Sequence, residues 1–172
     1  MRNTRPYKSP NAAMFWSLVL PGFGQLYNKD YFAAIILLIL EFTINLNSHL
    51  NLVLVNSFKG DLITAHQSAD YSWGLFYPSL YGFALWHAYN SAKVNNMRLE
   101  GKAPEKRTYL TGFILGIVIG MDFGLFWHDS HIIKRLPLLD YPVFNGIALG
   151  LLLGFLIHLL EMGVYRKSRA KP

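Results

Sequence analysis

The chain contains no cysteine in 172 residues, which excludes disulfides, thiolate metal sites and thiol catalysis together. Charge is scarce as well. Only 15% of residues are Asp, Glu, Lys or Arg against 52% hydrophobic, a balance that points away from an ordinary soluble domain. No phosphate-binding glycine loop, Gly-x-Ser-x-Gly elbow or His-Glu-x-x-His helix occurs. The polar segments between apolar runs are too short to form a catalytic domain. Motifs and segment lengths therefore give no enzyme and imply no cofactor.

What is abundant is apolar sequence. Residues 31–50, 73–92, 109–127 and 142–160 form four runs close to the roughly 20 helical residues that cross a hydrocarbon core. A fifth run, 12–27, is shorter and broken by Pro21, Gly22, Phe23 and Gly24, residues that disfavour a straight helix. The expected fold is all-α: one integral membrane domain over 1–172, a polytopic bundle of four spanning helices with a short re-entrant or interfacial N-terminal segment. Pro78 is expected to kink the second span near its outer end. The lipid bilayer is the implied partner, and another membrane protein is compatible with the pattern.

The net charge of +6 reads as topology and not as nucleic-acid binding. Of 16 Lys and Arg, three are Arg2, Arg5 and Lys8, five lie between Lys93 and Arg107, and four are Arg166, Lys167, Arg169 and Lys171. These clusters flank apolar runs, as the positive-inside rule expects. Loop 93–108 and tail 161–172 are then cytoplasmic, and 51–72 is an outer loop. A basic N-terminus on the inner side requires 12–27 to enter and return. The alternative is a fifth full span with the N-terminus outside. A basic start followed by an apolar run also suits a signal peptide, but no small-x-small cleavage site follows.

Two ladders of glycine stand inside the last two runs: Gly112, Gly116, Gly120 and Gly124, then Gly146, Gly150 and Gly154. Each glycine weakens a helix by about 1 kcal/mol relative to alanine. In lipid the spacing has a use, because small residues four apart let helix backbones approach closely. The two spans are expected to pack against each other through these faces.

The string Leu20-Pro21-Gly22-Phe23-Gly24-Gln25-Leu26-Tyr27-Asn28, followed by Lys29 and an apolar helix, resembles the turn of bacterial TM2-domain-like membrane proteins. The resemblance covers about residues 9–45 and marks Pro21, Gly22, Gly24, Gln25 and Tyr27 as the turn motif. It departs from the family pattern in having Gln25 where a histidine is common, and in lacking an Asp-Arg-aromatic turn. It implies an integral protein of a bacterial cytoplasmic membrane and no defined activity.

Ionisable residues inside spans are costly and mark functional hypotheses by default. Glu41 lies mid-span, and Asn45, Ser48 and His49 extend its face outward as one polar stripe. Asp122 is two residues from both Gly120 and Gly124, so at about 100° per residue its carboxyl points away from the ladder, and this span is expected to be covered on both sides as the central helix of the bundle. Glu41 and Asp122 suit either a proton or cation path or protonated groups that lock helices together. His158, with Glu161 one turn on, and His87, with Asn90, read as hydrogen-bonded helix contacts, for His158 with Thr108 or Thr111. His128, Asp129 and His131 are weak metal candidates, with Asp61, His66 and Asp70 in the other outer loop; their spacing fits no zinc motif. Three functional classes stay open: a membrane protein of accessory or interaction type, a small ion- or proton-coupled transporter using Glu41 and Asp122, and a metal-assisted membrane enzyme.

Overall fold

The computed structural model describes residues 7–103, 108–127 and 141–169. Among these residues every regular element is helical. The order is α1 (Pro10–Val19), α2 (Phe23–Tyr27), α3 (Tyr31–Ser48), α4 (Leu50–Phe58), α5 (Leu62–Ser68), α6 (Tyr71–Gly74), α7 (Phe76–Leu99), α8 (Thr111–Trp127) and α9 (Pro142–Arg169). The chain divides into two compact units, residues 1–42 with 83–109, and residues 43–82 with 110–172.

Among the described residues two helices, not four, are both long and apolar enough to cross a membrane: Tyr31–Ser48 and Val143–Val164. The other two expected spans fall short for different reasons. α8 has 17 residues, about 25 Å at 1.5 Å per residue. α7 is long, but its second half carries Asn90, Ser91, Lys93, Asn95, Asn96 and Arg98. Only 28% of Tyr31–Ser48 and 22% of Val143–Val164 is buried. A soluble core helix of that composition would be mostly covered.

Several expected boundaries move. Residues 51–72, read as an outer loop, are largely helical: α4 runs to Phe58, and Asp61 and Asp70 cap α5 and α6 by accepting from Thr64 N (3.0 Å) and Ser72 N (2.9 Å). His49 does not continue the α3 stripe; its φ of 57° ends α3 and opens α4. Residues 93–99, read as loop, extend α7, and α9 runs on to Arg169 through the expected tail. Pro78 occupies the first turn of α7, where its missing N–H costs nothing, so no kink is required there.

In the first unit, α1 and α2 form a tight turn on α7. Gly22 takes a φ of 107°, and a Cβ there would lie 2.9 Å from Ala34 O. A Cβ on Gly24 would fall 2.1 Å from Ala13 O and 2.8 Å from Ala88 Cβ. The face of α7 that receives the turn is made of Ala84, Ala88, Ala92 and Asn96, each four residues apart and buried.

In the second unit, α8 and α9 meet through the glycines. A Cβ on Gly116 would lie 2.6 Å from Gly154 Cα, one on Gly120 2.7 Å from Gly150 Cα, and one on Gly124 2.4 Å from Gly146 Cα. Gly112 faces Ile157 and Glu161. Asn145 is fully buried beside this contact and donates to Gly124 O at 2.6 Å. α8 also touches α7, since a Cβ on Gly82 would meet Val118 Cγ2 at 2.5 Å and Ile114 Cγ2 at 3.2 Å. A third face of α8, Leu115, Ile119 and Phe123, is exposed. α8 is therefore covered on two faces and open on one.

Candidate functional site

The densest polar arrangement surrounds the Pro21–Asn28 turn. Gln25 is 0% exposed, and burying an amide requires partners for its hydrogen-bonding groups. Its Oε1 accepts from the Ser17 hydroxyl at 3.2 Å, and its Nε2 donates to Ala84 O at 2.9 Å. Asn28, one turn on, donates from Nδ2 to Ala88 O at 2.8 Å. Two side-chain amides three residues apart on the turn thus engage carbonyls four residues apart on α7. That match needs small side chains on α7, and Ala84 and Ala88 supply them.

The ends of this unit are tied to the same helix. Asn96 accepts from Lys8 N at 2.9 Å and donates to Lys8 O at 2.6 Å. Asn90 treats Tyr109 alike, accepting from its N at 2.7 Å and donating to its O at 3.0 Å. The Lys8 ammonium sits 4.4 Å from the Tyr27 ring centre, and that of Lys93 sits 3.4 Å from the Tyr109 ring centre. Two of the basic residues that signalled an inner surface therefore rest on tyrosines. Tyr27 also accepts from Ser9 N at 3.2 Å.

His87 lies at the mouth of the arrangement. Its Nδ1 faces Gln25 Nε2 at 3.4 Å, and its Nε2 is 3.7 Å from Asp30 Oδ2 and 3.5 Å from Ser91 Oγ. Phe83 stacks on the ring with centroids 5.4 Å apart. Asp30 also accepts from Ala33 N at 3.4 Å, at the start of α3. This is not a relay of the Ser-His-Asp kind, because that chemistry needs the acid and the hydroxyl on opposite ring nitrogens.

The remaining sequence candidates lie elsewhere. Glu41 is buried, at 4% exposure, on an inward stripe of α3 with Ile44, Asn45 and Ser48. Asp122 is half-buried, and its Oδ1 has no hydrogen-bond partner. It lies one turn beyond Val118, on the flank of α8 that meets Gly82 and away from the glycines. Glu41 and Asp122 fall in different units. His158 was expected to bond a threonine; its Nδ1 instead lies 3.6 Å from Glu161 Oε2, and Phe113 meets its ring edge-on at 6.0 Å. Glu161 in turn accepts from Gly112 N at 3.1 Å, in the first turn of α8, where the orphan amides of a helix favour a carboxylate.

The candidates between residues 61 and 70 are accounted for locally. The Thr64 hydroxyl and amide hold the Asp61 carboxyl below its ordinary range, and Ser72 does the same for Asp70. Burial pushes the Tyr71 phenol up to about 12, with His66 Nδ1 2.8 Å from its oxygen. His128, Asp129 and His131 lie outside the described residues.

Sequence reasoning singled out Gln25 and His87, quoted Asn28 in the turn without giving it a role, and missed Asn96 and the alanines of α7. The signal was present, since Ala84, Ala88 and Ala92 recur every fourth position, as the glycines do.

A family of unknown function (DUF5683) matches residues 6–68, just over a third of the chain, which takes in the turn, α3 and α4. No curated protein and no solved structure matches.

Proposed function

We propose that the chain is an integral membrane protein of accessory or interaction type, held in a bacterial cytoplasmic membrane. The observation that carries this is the outward surface of its two longest apolar helices. Phe32, Ile35, Ile39 and Phe42 on α3, with Leu151, Leu152, Phe155 and Leu160 on α9, are all exposed. Apolar exposure of this kind along each of the two helices is unfavourable in water. The resemblance of the Leu20–Asn28 turn to that of TM2-domain-like membrane proteins agrees with it.

In this reading α3, α7, α8 and α9 cross the bilayer, and the α1–α2 turn enters and returns on the cytoplasmic side. Lys8 and Lys93, both seated on tyrosines, then mark the inner interface, where aromatic and basic residues belong. The short α8 is accommodated by local thinning of the bilayer. The polar groups of the turn are spent on helix carbonyls and chain ends, which suits a scaffold more than a catalyst. Crosslinking in native membranes followed by recovery of the chain tests the role: specific co-purifying membrane proteins are expected, and recovery of the chain alone refutes it.

A second reading, a proton- or cation-coupled transporter, draws on the buried Glu41 and on the Asp122 oxygen that lacks a hydrogen-bond partner. Flux in proteoliposomes separates the two. Loss of a pH-dependent flux in folded Glu41→Gln or Asp122→Asn protein favours transport. Silent carboxylate variants, together with loss of partner recovery in Gly120→Leu, favour the scaffold.

A further inference from the structure

His87 is gripped from two sides by groups that favour different protonation states. On one side the amide of Gln25 is oriented independently of the histidine. Its oxygen is committed to the Ser17 hydroxyl and its nitrogen to the Ala84 carbonyl. The nitrogen that faces His87 Nδ1 at 3.4 Å therefore offers only hydrogens. Nδ1 must present a lone pair to it, which places the ring proton on Nε2 in the neutral imidazole. On the other side Nε2 points toward Asp30 at 3.7 Å and Ser91 at 3.5 Å. Asp30 is the one charged group set against the ring among the described residues. Gln25 from α2, and Ser91 and Phe83 from α7, complete its surroundings.

Adding a proton changes the balance between these sides. A protonated Nδ1 turns its N–H toward the Gln25 amide hydrogens, donor against donor. The amide cannot invert to meet it without setting its own oxygen against Ala84 O at 2.9 Å. The same proton makes the ring a cation beside the Asp30 carboxylate, which strengthens that contact. Both partners are partly exposed, at 25% and 39% of their side chains.

We propose that His87 is a pH-operated latch. Neutral His87 accepts from Gln25 and adds to the Gln25–Ala84 and Asn28–Ala88 bonds that hold α2 on α7; protonated His87 shifts its hold to Asp30 at the start of α3, and α2 loosens. The device needs no ligand, and it stands whether or not the accessory role above is right.

The test uses the full chain in phosphatidylcholine–phosphatidylglycerol vesicles. Because the chain has no cysteine, a spin-label pair is introduced with Leu26→Cys on α2 and Arg98→Cys on α7, both exposed in the structure. The expected result is one narrow distance distribution at about pH 8 and a longer, broader one at about pH 5. His87→Asn should remove the difference. An unchanged wild-type distribution, or a shift that survives His87→Asn, overturns the latch. Should His87→Asn not fold, nitrogen NMR of the labelled wild-type imidazole decides. Nδ1 without a proton at about pH 8 supports it, and an Nδ1–H tautomer there refutes it.

Discussion

Replacing Gly120 by alanine adds a single methyl group where α8 meets α9, and the structure sets the two opposing consequences. Alanine is the better helix former by about 1 kcal/mol. Against that, the new Cβ would lie 2.5 Å from Leu149 O, 2.7 Å from Gly150 Cα and 2.8 Å from Gly150 N. All three are backbone atoms, so no side chain can rotate aside. Ordinary carbon contacts lie at about 3.5–4.0 Å, so the helices must part by roughly 1 Å. A gap of ~0.5–1 Å forfeits a quarter to a half of each contact along the ladder. Overpacking of this kind costs about 1–3 kcal/mol, and the expected net loss is about 1–2 kcal/mol after the propensity gain. Gly163→Ala is the matched control, since a Cβ there meets nothing within 4 Å and only the propensity term acts. Unfolding in mild detergent, followed by helical circular dichroism, should rank Gly163→Ala at or above the wild type and Gly120→Ala clearly below it. Equal midpoints for the two variants would refute close backbone approach as the reason for these glycines.

Three further outcomes follow from the same reasoning. Gln25→Ala leaves the buried Ser17 hydroxyl without its acceptor and should cost about 1–3 kcal/mol, read as a lower unfolding midpoint; no change would show that the turn is held by shape alone. Asn145→Ala deprives Gly124 O, in the last turn of α8, of its buried donor, with a loss of about 1–3 kcal/mol in the same assay. Asp61 and Asp70 have lowered pKa values through Thr64 and Ser72, so their contribution is present above the unfolded carboxyl value of about 3.9. It is lost as pH falls through the lower folded values. Amide protection at Thr64 and Ser72 should therefore drop in strong acid, and Asp61→Asn with Asp70→Asn should remove that dependence.

The parts of the fold that were legible in the chain are those where one residue type repeats on a helical period. The glycine ladders pointed to α8 against α9, and the offset of Asp122 pointed to a second covered flank. That inference went too far in one respect, because Leu115, Ile119 and Phe123 leave α8 an open face. The alanine ladder of α7 carries the same information as the glycines. It was obscured because alanine is common in any helix, and because the polar residues of that segment suggested a span end. Residues 51–72 looked like a loop through their position between two spans. Their capping residues, Asp61 before Thr64 and Asp70 before Ser72, are ordinary helix-start signals. Which partner His87 or His158 would choose was not readable, since pairings such as Gln25 with His87 join residues 62 apart in sequence.

Whether lipid covers the outward faces of α3 and α9 is open to one direct measurement. Ile39→Cys and Leu152→Cys each place the chain's only thiol on a face that is exposed in the isolated molecule, at 59% and 55%. In intact membranes a membrane-impermeant maleimide should leave both thiols unmodified until detergent or denaturant is added. Rapid labelling of both in sealed membranes, or recovery of the chain as a soluble monomer without detergent, would contradict membrane insertion.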